Sequence, residues 1–158
     1  MELHLLAICI DGSADTDVPI SDTARDVCDA MVALYRQTGY LPPWIGYLAL
    51  LDGEIVGTCA FKSPPCDGRV EIAYFTLPGQ EGRGIATEMA RRLVHLAMDT
   101  DASVTVTAQT LPEENASTTI LRRLGFIRAG TAHDPDAGEV WAWQRPNRVA
   151  ARLRLWER

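Results

Sequence analysis

Residues 81 to 86, Glu81-Gly82-Arg83-Gly84-Ile85-Ala86, stand between an apolar run, Val70-Glu71-Ile72-Ala73-Tyr74-Phe75, and a stretch of helical periodicity that ends near Met98. A strand, a glycine turn and a helix start make a cradle for phosphate. The first backbone N–H groups of a helix have no internal partner and lie at the positive end of its dipole, so a pyrophosphate binds there if no side chain blocks it. Glycines at 82 and 84 leave that approach open.

Two familiar nucleotide loops fit this stretch poorly. A P-loop needs Lys-Ser or Lys-Thr after its last glycine, where this chain has Ile85-Ala86. A dinucleotide fingerprint wants a third glycine or alanine, here Thr87, and an acidic residue ending the next strand. The nearby acids Asp99 and Asp101 instead precede the strand Val104-Thr105-Val106.

The loop resembles the Gln/Arg-x-x-Gly-x-Gly/Ala cradle with which the GNAT superfamily of N-acetyltransferases grips the pyrophosphate of coenzyme A, with Glu81 at the usual Gln or Arg position. Two further blocks extend the likeness. Leu111 to Phe126, with Asn115, Ser117 and Leu124-Gly125-Phe126, resembles the Asn-x-x-Ser and Leu-Gly-Phe segment of the ribosomal-protein-alanine acetyltransferase branch. Pro43 to Tyr47, Val56 to Thr58 and Glu71 to Tyr74 look like the strands before the cradle. The resemblance covers roughly residues 43 to 144 in order. It implies an α/β fold with a mixed, mostly antiparallel sheet, helices on both faces, and an acetyl-CoA cleft between splayed central strands.

Composition agrees with one domain over residues 1–158. At 158 residues and 47% hydrophobic, the chain can bury a sizeable core. It has no apolar run of membrane-spanning length, and Met1-Glu2-Leu3-His4 lacks the basic start of a signal peptide, so the expectation is a cytoplasmic protein without a membrane partner. Cys9, Cys28, Cys59 and Cys66 lack Cys-x-x-Cys spacing and read as reduced packing residues; no metal site is expected. Residues 145–158 carry five arginines and one glutamate, net +4, which leaves −10 for the other 144. Nucleic acid is therefore not expected as a partner, and the basic tail, with Leu153, Leu155 and Trp156 interleaved, reads as a docking or dimer segment. Seven acids and one arginine fall in the first 29 residues, which by resemblance form a wall of the acceptor groove. That wall either attracts a cationic amine or is a solvated face.

Hydrophobic periodicity gives an alternating order. Strands are expected over residues 3–10, 45–51, 55–61, 70–77, 104–108, 126–131 and 140–144, and helices over 21–39, 84–98 and 115–124. Asp52-Gly53 signals a hairpin. His133-Asp134, followed by Pro135 and Gly138, reads as an exposed turn rather than a metal or catalytic pair. Trp141 and Trp143 share a strand face suited to core or dimer packing, so a homodimer is a possibility. Trp44 and Tyr47 belong either to the core or to the acceptor groove.

Acetyl transfer sets the chemical demands. An amine arrives protonated and must lose a proton before it attacks the thioester. Glu71, by resemblance at the position of the family's catalytic glutamate, is the expected base, in a partly apolar groove that would raise its pKa; the alternative is an exposed or ion-paired strand carboxylate. The oxyanion needs a backbone donor, expected among Phe75, Thr76 and Leu77, whose backbone would also hold the pantetheine arm. Gly82, Arg83, Gly84, Ile85, Ala86 and Thr87 would hold the pyrophosphate. The tyrosine that many relatives use as the acid is replaced by Leu121. Ser117 is the remaining acid candidate, and Asn115 a candidate for the cofactor's amide; each is also a favoured helix cap. The resulting expectation is an N-acetyltransferase acting on a small-molecule or peptide amine, against a non-catalytic acyl-CoA-binding module and a nucleotide-binding domain.

Overall fold

The computed structural model describes residues 1–147. The chain runs β1 (His4–Ala7), α1 (Asp22–Thr38), β2 (Gly46–Leu51), β3 (Glu54–Phe61), β4 (Arg69–Thr76), α2 (Ile85–Thr100), β5 (Thr105–Thr110), α3 (Ala116–Arg123), β6 (Ile127–Asp134) and β7 (Gly138–Arg145). The strands form one open sheet in the order β1-β2-β3-β4-β5-β7-β6. Every pairing is antiparallel except β4 with β5, which the α2 crossover makes parallel.

Local chemistry sets the element ends. Ser21 Oγ accepts from the Ala24 N–H at 3.2 Å and starts α1, and Gly39, at φ +99°, stops it. Asp52 and Gly53, at φ +50° and +77°, form the tight β2–β3 turn. α1 buries Ala24, Cys28, Met31 and Tyr35, and α2 buries Ile85, Met89, Ala90, Leu93, Val94 and Ala97. Each large apolar side chain so buried contributes roughly 1.5–3 kcal/mol.

Two strand glycines seat the helices on opposite faces. A Cβ on Gly46 would lie 2.9 Å from the Met31 side chain of α1, and one on Gly57 would lie 2.8 Å from Met89 of α2. Gly46 pairs with Ala60, so Gly57, an odd number of residues away, faces the other side.

Several expected boundaries shift. β1 ends at Ala7; Ile8 still donates to the Gly46 carbonyl, and from Cys9 the chain turns back on itself, with Cys9 donating to the Ser13 carbonyl and Asp11 accepting the Ser13 N–H. β6 runs on to Asp134, so His133 and Asp134 lie at the end of a strand, paired with Glu139 and Gly138. β6 is an edge strand, mostly exposed, and so carries no apolar alternation to read. The aromatic β7 lies inside the sheet, where Trp143 is buried and donates to Thr110 Oγ1 at 2.9 Å, which places Trp143 in the core. Trp44 stacks edge-on against Phe61, and Tyr47 Oη donates to the Pro43 carbonyl, so both belong to the core. The tail from residue 148 onward lies outside the described residues. Among the described residues no helix is long and apolar enough to cross a membrane, and no cluster of side chains could hold a metal ion.

Candidate active site

The cradle forms as its residues dictate. Gly82 and Gly84 adopt φ +78° and +76°, a region that favours glycine. Gly84 is the N-cap of α2 and no side chain caps that helix, which leaves its first-turn amides without a side-chain acceptor. Ile85 is buried and anchors the turn, and with Glu81, Gly82, Gly84, Ala86 and Thr87 it lines a cavity of about 410 Å³. The charged side chains of the loop make local hydrogen bonds. Glu81 Oε2 accepts the Gly79 N–H at 2.8 Å, and Arg83 donates to Gln80 Oε1 at 2.6 Å. Glu81 therefore shapes the loop where the motif has Gln or Arg, and Arg83 does not line the cavity.

The opposite wall comes from α3, through Ala116, Thr119, Ile120 and Arg123. Thr119, Ile120, Arg123 and Gln80 escape the sequence reading, because only the packing of α3 beside the start of α2 brings them here. Arg123 adds a cation to a cavity that already presents helix amides.

The cavity opens toward a gap in the sheet. The β4–β5 ladder holds only Arg69↔Thr105, Val70↔Val106 and Glu71↔Thr107, after which β4 continues to Thr76 and β5 to Thr110 without pairing. Which amides face this gap follows from alternation. The Lys62 N–H donates to the Glu71 carbonyl, and the Leu77 N–H donates to the Val56 carbonyl, both across to β3. Odd residues of β4 thus bond β3, and Tyr74 and Thr76 turn their backbone groups toward the unpaired side. Of the three expected oxyanion donors, Thr76 points into the gap. Leu77 is committed to Val56 and Phe75 faces β3, so neither has a free amide there. Tyr74 was missed, since an apolar run in sequence does not say which edge of its strand will splay.

Glu71 is the last paired residue before the gap. Its partly buried carboxylate meets the Lys62 ammonium 2.6 Å from Oε2, so the expected apolar groove is replaced by an ion pair at this position. Oε2 is itself buried and accepts no other hydrogen bond among the described residues. Across the gap, Asn115 caps α3: its Oδ1 accepts from the Thr118 N–H at 3.0 Å while Thr118 Oγ1 accepts from the Asn115 N–H at 2.9 Å. Capping thus falls to Asn115 and leaves the Ser117 hydroxyl out of the cap, near the Tyr74 phenol, whose pKa burial raises and the neighbouring hydroxyl partly lowers again.

A second pocket, about 220 Å³, lies on the α1 face beside β3 and β4 and is lined by Val27, Met31, Thr58, Ala60, Ala73 and Phe75 among others. Phe75 is 47% exposed there.

A parallel pair splayed at mid-sheet beside an uncapped helix N-terminus defines an acetyltransferase fold. Residues 14–127 match the Acetyltransferase (GNAT) domain family, and the chain belongs to it. The open glycine cradle and the uncapped first-turn amides of α2 fit the pyrophosphate of a coenzyme A. An N-acetylaspartate synthetase of Danio rerio is 32% identical over 89 residues, which is 56% of this chain and 31% of that protein. The chain thus spans about a third of that relative's length. Among solved structures, the aminoglycoside acetyltransferase AAC(6')-Ib in complex with coenzyme A and kanamycin is 25% identical with a TM-score of 0.55, over 70% of each chain. The ribosomal L7/L12 alpha-N-protein acetyltransferase RimL, in an apo form, aligns over 92% of this chain and 93% of its own at a TM-score of 0.66 and 18% identity, a likeness of fold.

Proposed function

We propose that the protein moves an acetyl group from acetyl-CoA to a primary amine by direct attack in a ternary complex. The observation that carries this reading is the continuity of free backbone donors, from the Tyr74 and Thr76 amides at the splay to the uncapped start of α2. Five residues of extended strand separate Glu71 from Thr76, about 16 Å of groove. Bound there, acetyl-CoA supplies an activated acetyl thioester.

The chain's own groups do the rest. Gly82, Gly84, Ala86 and Thr87 hold the pyrophosphate through backbone N–H groups, with Arg123 adding charge. The Thr76 amide donates to the thioester carbonyl as negative charge develops on it. Glu71 accepts a proton from the acceptor ammonium, directly or through one water, after Lys62 yields its place on the carboxylate. Ser117, beside Tyr74, gives a proton to the departing sulfur. That thiol, with a pKa near that of cysteine, about 8.5, leaves with little help. Asn115 is primarily the cap of α3, and its side-chain N–H₂ is the group that would meet the cofactor's amide.

The names of the relatives cover an amino acid, aminoglycosides and a ribosomal protein as acceptors, so the shared requirement is only an amine. A second reading, a non-catalytic acyl-CoA-binding module, draws on the Lys62 ion pair that occupies the candidate base. One assay separates the two: thiol release from acetyl-CoA across a panel of amines, with wild type and Glu71→Gln. Amine-dependent release that falls about 10²–10⁴-fold in the variant supports catalysis with Glu71 as base. Equal rates in the two proteins refute that role, and tight acetyl-CoA binding without release by any amine leaves the binding module.

A further inference from the structure

We infer that the pocket between α1 and strands β3 and β4 receives an apolar group of the acceptor carried close to its amine, and that anionic acceptors are rejected. The inference rests on the acetyl-transfer reading above and names the substrate class for it.

The first argument is composition. Among the described residues no charged side chain lines this pocket; its walls include Val27 and Met31 from α1, Thr58 and Ala60 from β3, and Ala73, Tyr74 and Phe75 from β4. At about 220 Å³ it falls below the range of roughly 300–1,000 Å³ typical of whole-ligand sites, so it suits one side-chain-sized group rather than an entire acceptor. Phe75 leaves nearly half its surface in water there, which a bound apolar group would cover.

Position supplies the second argument. Glu71, Ala73 and Phe75 project from the same face of β4, and one strand repeat, about 7 Å, separates Glu71 from Ala73. A group resting on Ala73 thus sets its amine, two or three bonds away, beside the Glu71 carboxylate.

Charge supplies the third. Asp22, Asp26 and Asp29 are exposed on α1, the helix that forms one pocket wall, against one exposed cation, Arg25, in the same stretch, and Asp26 directly precedes Val27. Within a Debye length of about 8–10 Å these carboxylates attract an ammonium and repel a second carboxylate on the acceptor. A leucine-like or phenyl-bearing amine satisfies all three conditions, whether it is a free small molecule or a peptide N-terminus. Aspartate satisfies none.

The test compares kcat/KM for leucinamide, phenethylamine, glycinamide, aspartate and a short peptide beginning with leucine. We expect leucinamide and phenethylamine to exceed glycinamide tenfold or more, with aspartate lowest; the ratio of peptide to leucinamide identifies the source of the amine. Val27→Arg places a cation at the pocket wall. It should lower leucinamide turnover at least tenfold and raise that of aspartate, with the KM for acetyl-CoA unchanged. Should that variant lose acetyl-CoA binding through misfolding, Ala73→Met fills the same space and should raise the leucinamide KM alone. Glycinamide or aspartate used as well as leucinamide, or an unaltered ratio in the variants, overturns the pocket assignment and leaves acetyl transfer standing. If acetyl-CoA binds and no amine is acetylated, the acetyl-transfer reading falls and takes this one with it.

Discussion

Replacing Gly84 by alanine separates the cradle's binding role from its backbone role. Gly84 sits at φ +76°, and a Cβ built there meets only the Met1 Cε within 4 Å, at 3.8 Å, so the substitution has no steric cost inside the protein. The conformational cost of an L-residue in this region is about 1–2 kcal/mol. For a domain of this size that corresponds to a Tm loss of roughly 2–8 °C. Gly53, at φ +77° with nothing within 4 Å of its built Cβ, offers a matched control in the β2–β3 turn. Gly53→Ala should lose similar stability and leave acetyl-CoA binding intact. At position 84 the new methyl stands in front of the uncapped amides of α2, where it displaces one or two phosphate hydrogen bonds of about 1.5–3 kcal/mol each. The expected rise in Kd is thus roughly ten- to a thousandfold or more. Calorimetric titration with acetyl-CoA and thermal scans on the two variants check both numbers. If Gly84→Ala loses stability like its control yet binds acetyl-CoA within about twofold of wild type, the amides of α2 do not hold the pyrophosphate.

Other outcomes follow from single contacts. Tyr35 Oη donates to the Ile8 carbonyl at 2.8 Å and accepts the Gly46 N–H at 2.9 Å, both buried, so Tyr35→Phe should cost roughly 2–4 kcal/mol in chemical denaturation. Glu114 pairs with Arg122, and hydrogen bonds from Arg122 and then Thr118 pull its pKa from 4.5 down to about 2. The folded value lies below the unfolded one, so its contribution is complete above pH 4.5 and is lost as pH falls toward 2. Glu114→Gln should flatten the acid limb of a stability profile in that window and leave pH 7 turnover unchanged. Asn115→Asp keeps a good cap; if the side-chain amide also meets the cofactor, acetyl-CoA affinity should fall while Tm holds. Ser117→Ala should lower kcat more than the KM for acetyl-CoA if the hydroxyl protonates the leaving sulfur, and Tyr74→Phe should reproduce part of that loss.

Features with local causes were legible in the sequence. Gly82 and Gly84 announced their turn, Ser21 and Gly39 bounded α1, and Asp52-Gly53 fixed a hairpin. What the sequence withheld was lateral. Nothing in Val70 to Phe75 says that β4 parts from β5 after Glu71, or that odd-numbered amides are used up on β3, so Leu77 looked as available as Thr76. Lys62, nine residues from Glu71, meets it only because β3 and β4 run antiparallel and bring their ends level. Arg123 joins the cavity only through the packing of α3. β6 escaped definition for a different reason: an edge strand exposed on both sides has no hydrophobic face to repeat.

The ion pair between Lys62 and Glu71 bears most directly on how such a site turns over. A carboxylate engaged by an ammonium at 2.6 Å accepts a second cation only if the first can yield, and Lys62, with 43% of its side chain exposed, has water to move into. The acceptor's ammonium restores to the carboxylate the pairing that Lys62 gives up, so the exchange itself costs little. Lys62 then serves as a placeholder that keeps the buried Oε2 matched while no acceptor is bound. Lys62→Met should therefore lower the Tm, because Oε2 loses its partner, and lower the KM for a cationic amine, because the competitor is gone. If the variant instead loses kcat with KM unaltered, the lysine takes part in the chemical step and Glu71 does not act by exchanging one ammonium for another.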